Sequence, residues 1–228
     1  MKASQILYED NHLIVLNKQS GEIVQGDKTG DICMADDLKA YIKQRDQKPG
    51  NVFCGVVHRL DRPVNGVCIF AKTSKALSRM NALIQSRAFQ KTYWAIVKGD
   101  TTPPLGATVT LRDWLLRNER QNKSYVVKEG TPMAKEAILD YCPLRVSDGG
   151  YTLLEVHLHT GRHHQIRCQL AHAGMPIKGD LKYGAPRSNS DGSISLHAHS
   201  VAFEHPVSHT PMLITAPSTL EINKLFNI

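Results

Sequence analysis

The amino-acid sequence predicts an α+β fold with a mainly antiparallel β-sheet flanked by helices. Three observations support this fold class. Strand-like segments outnumber helical ones, several strand-like segments follow one another closely enough to pair as hairpins, and three segments carry apolar residues at helical spacing. A chain of 228 residues is long enough to bury about 70% of its unfolded surface. We therefore expect a single domain over residues 1–228.

Three helices are predicted from the spacing of apolar residues. The first is Ala35–Arg45, in which leucine and isoleucine recur at helical spacing. The second begins after Ser74, which we take as its N-cap. The third is His163–Ala173, with Gly174 as its C-terminal stop. The stripe that the second helix buries consists of Leu77, Met80, Leu83 and Ile84.

Strands are predicted where apolar residues cluster or alternate between turn signals. Tyr151–His159 is the clearest case, because leucine and valine alternate there with polar residues. Gln90–Val97 is a second, and a turn is expected after it at Lys98-Gly99-Asp100. The remaining predicted strands are Leu13–Asn17, Val67–Ala71, Ala107–Leu111, Tyr125–Val127, Lys135–Tyr141, Ser195–Phe203 and Pro211–Thr215.

The composition is that of an ordinary globular protein with a modest excess of basic residues. The net charge is +7 and the pI about 9.2, which fits either a polyanionic partner or a solubilising surface. No apolar run approaches the roughly 20 residues that span a bilayer, and the N-terminus does not have the pattern of a signal peptide. The five cysteines are scattered without a C-x-x-C pair, which is typical of reduced thiols in the cytoplasm.

One carboxylate stands out because it lies between two arginines. Asp61 follows Arg59 and precedes Arg62, and Gly66 and a strand-like apolar run come directly after. A neighbouring arginine lowers the pKa of a carboxyl group, so this aspartate is expected to stay ionised. The stretch alone leaves two interpretations open: an ion pair in a surface turn, or a catalytic carboxylate at the mouth of a site for something negatively charged.

A histidine-rich segment is the other candidate for chemistry. His157 and His159 share one face of a predicted strand, and His163 and His164 follow after a short turn. Histidines at this spacing could contribute to a zinc site. The arginines nearby would repel a cation, however, so a solvated surface or a contact surface for a ligand is the favoured interpretation.

Several motifs in one order resemble the RluA-type pseudouridine synthases. The first is His58-Arg59-Leu60-Asp61 with Gly66 and Ala71-Lys72, and the second is Lys91-Thr92-Tyr93-Trp94-Ala95. The third is Thr160–Arg167, and the fourth runs from Gly174 to Gly184. The resemblance extends from about Leu13 to Pro206. Three positions depart from the family pattern: Val64-Asn65 replaces Thr-Ser before the glycine, and His163 replaces a threonine.

The resemblance implies an isomerase that converts uridine in structured RNA, ribosomal or transfer RNA, to pseudouridine. It assigns catalysis to Asp61, Tyr93 and Arg167, with Arg167 pairing with Asp61 and Tyr93 stacking on the uracil. Asp61 would attack C1′ of the ribose or remove a proton from C2′, and the sequence leaves this choice open. The implied RNA contacts are Arg59, Arg62, Lys72, Arg162, His164, Gln165 and Lys178.

The same resemblance sets expectations about partners. The reaction needs no cofactor and no metal, and the expected partner is RNA, with no membrane. Many relatives carry a small N-terminal RNA-binding module, and we expect none before this catalytic domain. The protein is further expected to be monomeric and cytoplasmic.

Overall fold

The computed structural model describes residues 3–26, 30–98 and 103–228. Contacts between Cα atoms divide the chain into two compact units. The first unit comprises residues 1–91 and 198–217, and the second comprises residues 92–197 and 218–228. Each unit is therefore assembled from segments that are distant in sequence.

The described residues contain eleven strands and four α-helices. The strands are β1 (Ile6–Glu9), β2 (Leu13–Lys18), β3 (Gly55–Val56), β4 (Asn65–Ala71), β5 (Gln90–Lys98), β6 (Val109–Asn118), β7 (Lys123–Val127), β8 (Lys135–Val146), β9 (Tyr151–Leu158), β10 (Leu196–Glu204) and β11 (Pro211–Thr215). The helices are α1 (Met34–Arg45), α2 (Ser74–Gln85), α3 (Gln165–His172) and α4 (Leu220–Phe226). Short 3₁₀ turns lie at Ala3–Gln5 and Leu181–Tyr183.

The first unit is built on antiparallel pairs. Strand β2 pairs with β1 and β4, β4 also pairs with β3, and β10 pairs with β11. Strand β4 is buried along almost its whole length, from Gly66 to Ala71, as expected for a central strand covered on both faces. The stripe of α2 packs on this layer: Met80 is fully buried, and Leu77, Leu83 and Ile84 pack against the same cluster.

The second unit is an antiparallel sheet in the order β5-β9-β8-β6-β7. Helix α3 covers one end through Cys168, which packs with Leu115 and Ala137. At the other end α4 packs Ile222 and Phe226 against Ile96 and Leu153. Strand β7 is the last in this order, and it contacts α3, where the Cys168 thiol donates to the Ser124 carbonyl oxygen.

The predicted strands and helices are found, with changes at several ends. Helix α2 is capped by Thr73 and not by Ser74, because the Thr73 hydroxyl accepts the Ala76 N–H at 3.1 Å. Helix α3 begins at Gln165 and not at His163, since His164 has a left-handed backbone with φ 52°. Strand β6 extends well beyond the predicted Ala107–Leu111. The turn expected at Lys98-Gly99-Asp100 lies partly outside the described residues.

Three elements were not predicted from the sequence: β1, β3 and α4. All three are short, so their residues give too few periods to be distinguished from loop. Among the described residues, none of the helices has the length and apolarity needed to cross a membrane.

Candidate active site

Asp61 lies in a tight turn that leads directly into the buried strand β4. The Val64 N–H donates to the Asp61 carbonyl oxygen at 3.0 Å and closes the turn. Leu60 and Val64 on either side are 8% and 2% exposed, whereas Asp61 itself is only half-buried. The apolar neighbours fix the backbone of the turn to the core, and Asp61 between them stays partly exposed.

A buried lysine stabilises this turn through hydrogen bonds to its carbonyl oxygens. Lys18, at the end of β2, is fully buried. Its Nζ donates to the carbonyl oxygens of Val64 at 2.6 Å, Arg62 at 3.1 Å and Asp61 at 3.3 Å. It also reaches the Gln19 carbonyl at 3.1 Å. One ammonium group therefore binds all three carbonyl oxygens of the turn. The Asp61 and Arg62 carbonyls also accept the N–H groups of Val64 and Gly21, whereas for the Val64 carbonyl Lys18 is the donor.

Burial lowers the pKa of Lys18 to about 8, because removing the ammonium group from water disfavours its charged form. The negative charges of Cys68, Glu22 and Asp61, where ionised, act in the opposite direction and raise it. Lys18 was not among the residues predicted from the sequence. Its position after an apolar strand was visible, but its burial depends on the pairing of β2 with β4.

Gly66 explains why a glycine follows this turn. Its φ of +111° is one that side-chain-bearing residues rarely adopt. A Cβ atom at this position would lie 2.2 Å from the carbonyl oxygen of Ala198 on β10. Glycine therefore allows the backbones of β4 and β10 to approach closely, directly behind the Asp61 turn.

The two arginines beside Asp61 have different surroundings. Arg62 donates to the Gly21 carbonyl at 3.2 Å and pairs with Asp31 at 3.1 Å. Arg59 is exposed, and the described part of the chain provides it with no hydrogen-bond partner. Lys72, a predicted RNA contact, pairs with Glu9 at 2.6 Å and is largely buried. Of these three predicted contacts, Arg59 is the one that no protein group engages.

In the second unit, Arg167 is held by a buried ion pair. Its Nε and Nη2 atoms donate to the two carboxylate oxygens of Asp180 at 2.6 and 2.9 Å. Arg167 is 5% exposed and Asp180 1%. The guanidinium carbon also lies 5.1 Å from the ring centroid of Tyr183. This bidentate geometry fixes the arginine in one orientation.

Tyr183 connects several polar groups near Arg167. Its hydroxyl accepts the Ser124 N–H at 2.8 Å and lies 3.0 Å from Nδ1 of His164. Burial raises the pKa of this tyrosine well above its usual value of 10, so the phenol stays protonated. Asp180 and Tyr183 both lie in the segment Gly174–Gly184, but the sequence did not show that they support Arg167.

The other predicted residues of the second unit also have structural partners. Tyr93, on β5, is 6% exposed and lies opposite Val156 of β9. Gln165 accepts from the Thr160 hydroxyl at 2.8 Å and from the Arg162 N–H at 2.9 Å. Lys178 forms an ion pair with Glu221. Arg162 is exposed, and its Nε donates to the Glu136 carbonyl at 2.8 Å.

The histidines proposed as possible zinc ligands point to different partners. His157 pairs with Glu155 at 3.0 Å, and His159 pairs with Asp140 at 2.7 Å. His163 and His164 stack on each other with ring centroids 3.7 Å apart. Within the described ranges, no group of three or more histidine, cysteine or acidic residues is arranged to hold a metal ion.

The predicted catalytic residues are thus divided between the units. Asp61 belongs to the first unit, as does the predicted RNA contact Arg59, and Tyr93 and Arg167 belong to the second. Within the second unit, Arg167 and His164 are brought together around Tyr183. The pairing of Arg167 with Asp61 stays a prediction from the sequence.

Solved structures identify the fold. The chain superposes on the human RNA pseudouridylate synthase domain containing 4 with a TM-score of 0.77 at 23% identity, covering 96% of this chain and 90% of that one. For the human RNA pseudouridylate synthase domain containing 1, the TM-score is 0.68 at 22% identity, covering 94% and 83%. The fold is that of the pseudouridine synthases.

Sequence comparison then identifies the family. The pattern of the RNA pseudouridylate synthase family matches residues 12–172, and the chain belongs to this family. It is 33% identical to ribosomal large subunit pseudouridine synthase C of Haemophilus ducreyi, over 93% of this chain and 65% of that protein. It is 34% identical to ribosomal large subunit pseudouridine synthase D of Xylella fastidiosa, with the same coverage. The chain therefore spans about two thirds of the length of these relatives.

Proposed function

We propose that this protein isomerises uridine to pseudouridine in RNA, with Asp61 as the catalytic carboxylate. The observation that carries the proposal is the family match over residues 12–172, which includes Asp61, Tyr93 and Arg167. The names of the relatives above refer to the large ribosomal subunit. Ribosomal RNA is accordingly the substrate that we favour over transfer RNA.

The reaction is an isomerisation with no net gain or loss of atoms. The bond between C1′ and N1 breaks, a bond between C1′ and C5 forms, N1 gains a proton, and C5 releases one to solvent. The ionised carboxylate of Asp61 would attack C1′ or remove the C2′ proton. By resemblance, Tyr93 stacks on the uracil and helps to remove the C5 proton, and Arg167 holds the carboxylate charged. We propose no cofactor or metal for these steps.

The geometry of the Asp61 turn supports this assignment. Catalysis by a side chain requires that its backbone is fixed before the substrate arrives. The carbonyl groups of Asp61, Arg62 and Val64 are all bound by the one ammonium group of Lys18. A surface ion pair would not need this arrangement, since exposed pairs contribute little to stability.

Arg59 is the residue we assign to the space that the target base leaves. The base must leave its stack before Asp61 can reach the sugar, at a cost of a few kcal/mol. Arg59 is exposed and lies two residues before Asp61, so its guanidinium is available to stack between bases. We propose that the other exposed predicted contacts, Arg62 and Arg162, bind the RNA backbone. We also propose that the protein acts in the cytoplasm as a monomer.

Asp61→Asn tests the chemistry with little change in shape. Wild-type protein and variant are incubated with ribosomal RNA that carries tritium at C5 of uridine, and tritium release is counted. Wild-type protein should release tritium, and the variant should show a loss of at least about 10⁴-fold, as for the loss of a covalent catalyst. Unchanged release by the variant would exclude Asp61 as the catalytic group.

A protein that binds RNA without modifying it is the second candidate function. The exposed cations, such as Arg59 and Arg162, would serve either role. The same assay separates the two: binding without tritium release from any cellular RNA would favour the silent protein.

A further inference from the structure

Lys91, at the start of β5, is a half-buried cation without a counter-ion. Among the residues that the structure describes, none accepts a hydrogen bond from its amine or pairs with its charge. Burial lowers the pKa of this amine, because the charged form loses its contact with water. Two other half-buried lysines, Lys72 and Lys178, are paired with glutamates. Lys91 therefore carries a charge that the described side chains leave uncompensated.

His58 provides a second donor that lacks an acceptor. Its Nε2 atom accepts the Ile69 N–H at 3.3 Å. Burial, and then the nearby charge of Lys91, lower the pKa of His58 to about 3. The ring is therefore neutral, and its proton lies on Nδ1. That Nδ1 atom is buried and has no hydrogen-bond partner in the described part of the chain, although buried donors normally have an acceptor in protein, water or ligand.

The ring of His58 is held in one orientation by its neighbours. Its centroid lies 5.6 Å from that of Phe89, and its carbonyl oxygen accepts from the Cys68 thiol at 3.7 Å. Lys91 follows two residues after Phe89, and its charge acts on the same ring. His58 and Lys91 both belong to the first unit. One neutral and one charged donor thus lie near each other without an acceptor.

Both donors lie close in sequence to residues that the resemblance places in the reaction. His58 comes three residues before Asp61. Lys91 comes two residues before Tyr93 on β5, so the two side chains share one face of the strand and start about 7 Å apart. By resemblance, Tyr93 stacks on the uracil. A side chain of the length of lysine can span the distance to an oxygen of a base stacked there.

The proposed reaction makes the base negatively charged for a short time. When the bond between C1′ and N1 breaks, its electron pair stays with the uracil, and the charge is shared by N1, O2 and O4. The anion must then turn so that C5 takes the place of N1. A half-turn about the axis through N3 and C6 exchanges N1 with C5 and also O2 with O4. One donor site can therefore hold O2 during bond breaking and O4 during bond formation.

We propose that Nζ of Lys91 and the Nδ1–H group of His58 form a donor site for this uracil oxygen, and that Lys91 stabilises the departing base as an anion. The inference rests on the proposed function and adds a catalytic residue to it. Donors that are fixed and desolvated before the substrate arrives stabilise developing charge effectively. Both donors keep their protons, and N1 takes its proton from solvent after C5 has released its own.

Lys91→Met tests the role of the charge. Tritium release from C5-labelled ribosomal RNA is followed in a single turnover at saturating protein. The variant should be slower by about 10² to 10³-fold, as for the loss of one oxyanion donor, with unchanged affinity for RNA. The control is Lys98→Met, which removes the same charge from an exposed position on β5 and should leave the rate unchanged. Equal rates in the two variants would overturn the proposal.

The Lys91→Met variant is expected to fold. Replacing a buried charge by an apolar side chain of similar volume is often neutral or stabilising. Denaturation with urea should therefore show a free energy of unfolding no lower than that of the wild-type protein. A large loss of stability would mean that the amine has a structural partner, and would overturn the proposal.

A contact between Lys91 and an RNA phosphate would give a different result. Loss of such a contact would reduce the slope of log affinity against log salt by about 1. The rate at saturating protein would then stay at the wild-type value. This combination would overturn the proposal, because it assigns Lys91 to binding and not to the chemical step.

The leaving group provides a test of the anion itself. In RNA transcribed with 5-fluorouridine, the fluorine withdraws electrons and stabilises the uracil anion without help from the protein. Formation of any new nucleoside from 5-fluorouridine is measured by nuclease digestion and chromatography. Lys91→Met should slow this reaction by a factor at least about tenfold smaller than for uridine, because less of the stabilisation depends on the lost donor. Equal factors for the two RNAs would overturn the proposal.

The part played by His58 is tested with two variants. Asparagine can place its amide group at the position of Nδ1, and glutamine at the position of Nε2. His58→Asn should therefore keep the donor and release tritium faster at saturation than His58→Gln. Equal rates would overturn the assignment of His58.

These outcomes separate the inference from the proposed function. If wild-type protein releases tritium and Lys91→Met releases it as fast, the inference fails and the proposed function stands. If wild-type protein releases none from ribosomal RNA, the proposed function and the inference fail together. A slow Lys91→Met with unchanged affinity for RNA supports both.

Discussion

Two segments of this protein are held by buried cations, and the two are held differently. In the first unit, Lys18 donates to the carbonyl oxygens of the Asp61 turn. In the second unit, Arg167 donates to a full counter-charge, the carboxylate of Asp180. The buried charge of Lys18 is compensated by carbonyl dipoles, and its burial therefore remains costly. The buried pair of Arg167 and Asp180 has no net charge.

This difference predicts that the Asp61 turn and the Arg167 segment respond to different changes. An ammonium group without a carboxylate can release its proton, and burial already lowers the pKa of Lys18 to about 8. A guanidinium stays charged at every accessible pH, so the Arg167 pair should respond to loss of its partner and not to base. The Asp61 turn is therefore expected to be sensitive to pH, and the Arg167 segment to mutation.

The largest expected effect is that of Asp180→Asn. This change removes the carboxylate that accepts from Nε and Nη2 of Arg167. Breaking a buried ion pair by removing one partner destabilises a protein by about 3 to 5 kcal/mol. Both tryptophans, Trp94 and Trp114, lie in the second unit, so their fluorescence during denaturation with urea reports on it. The exposed Asp148→Asn is the control and should change the free energy of unfolding by less than about 0.5 kcal/mol. Similar small losses in both variants would show that the pair does not hold the segment.

The next effect is the titration of Lys18. Its pKa in the folded state is about 8 and in the unfolded chain about 10.4. Between pH 8 and pH 10.4 the unfolded state binds more protons than the folded state. Below pH 8 Lys18 is protonated in both states, so its contribution to the free energy of unfolding does not change with pH there. It then increases by up to about 3 kcal/mol towards pH 10.4. The amine meanwhile loses one donor, which should loosen the Asp61 turn and lower activity.

The measurement is carbon NMR of lysines labelled at Cε, with the Lys18 signal identified by its absence in Lys18→Met. One resonance should titrate near pH 8, and those of exposed lysines near pH 10.4. A Lys18 midpoint at the value of the exposed lysines would mean that the amine is hydrated, and the contrast with Arg167 would disappear.

Gly66→Ala tests whether the Asp61 turn also depends on close approach of the backbone. The added Cβ would lie 2.2 Å from the Ala198 carbonyl oxygen, at a φ of +111°. We expect a loss of at least about 2 kcal/mol from the strained conformation and the displaced strand. Gly30→Ala is the control, because Gly30 also has positive φ but has nothing within 4 Å of the added atom. If Gly66→Ala and Gly30→Ala lowered the free energy of unfolding equally, the positive φ alone would explain the effect, and the contact with Ala198 would contribute nothing.

Local sequence patterns predicted most of the fold, because they record the face that each element buries. The apolar stripe of α2 and the alternation in β9 were sufficient to predict those elements. The part of β6 beyond Leu111 was missed, since its polar residues Arg112, Asp113 and Arg117 resemble loop. Helix α4 has only seven residues, which is too short for a periodic signal.

The site was predicted only in part, for a different reason. Asp61 and Gly66 could be singled out because a turn and a glycine leave a local signal. The groups that support them leave none: Lys18 meets the Asp61 turn only after β2 pairs with β4. Asp180 is 13 residues from Arg167, and nothing in the spacing showed which acid pairs with which base.

The smallest predicted effect is that of removing the N-cap of α2. It provides a reference for the free energies expected from changes at Lys18 and at the Arg167–Asp180 pair. Thr73, and not the predicted Ser74, accepts the Ala76 N–H. Thr73→Ala should therefore lower the free energy of unfolding by about 1 kcal/mol, while Ser74→Ala, which changes the first exposed residue of α2, should be nearly neutral. Thermal denaturation followed by circular dichroism measures both variants. If Ser74→Ala proved the more destabilising, the cap would be the one that the sequence predicted. If Thr73→Ala lowered the free energy of unfolding as much as Asp180→Asn, the buried pair of Arg167 and Asp180 would contribute no more to stability than one helix cap.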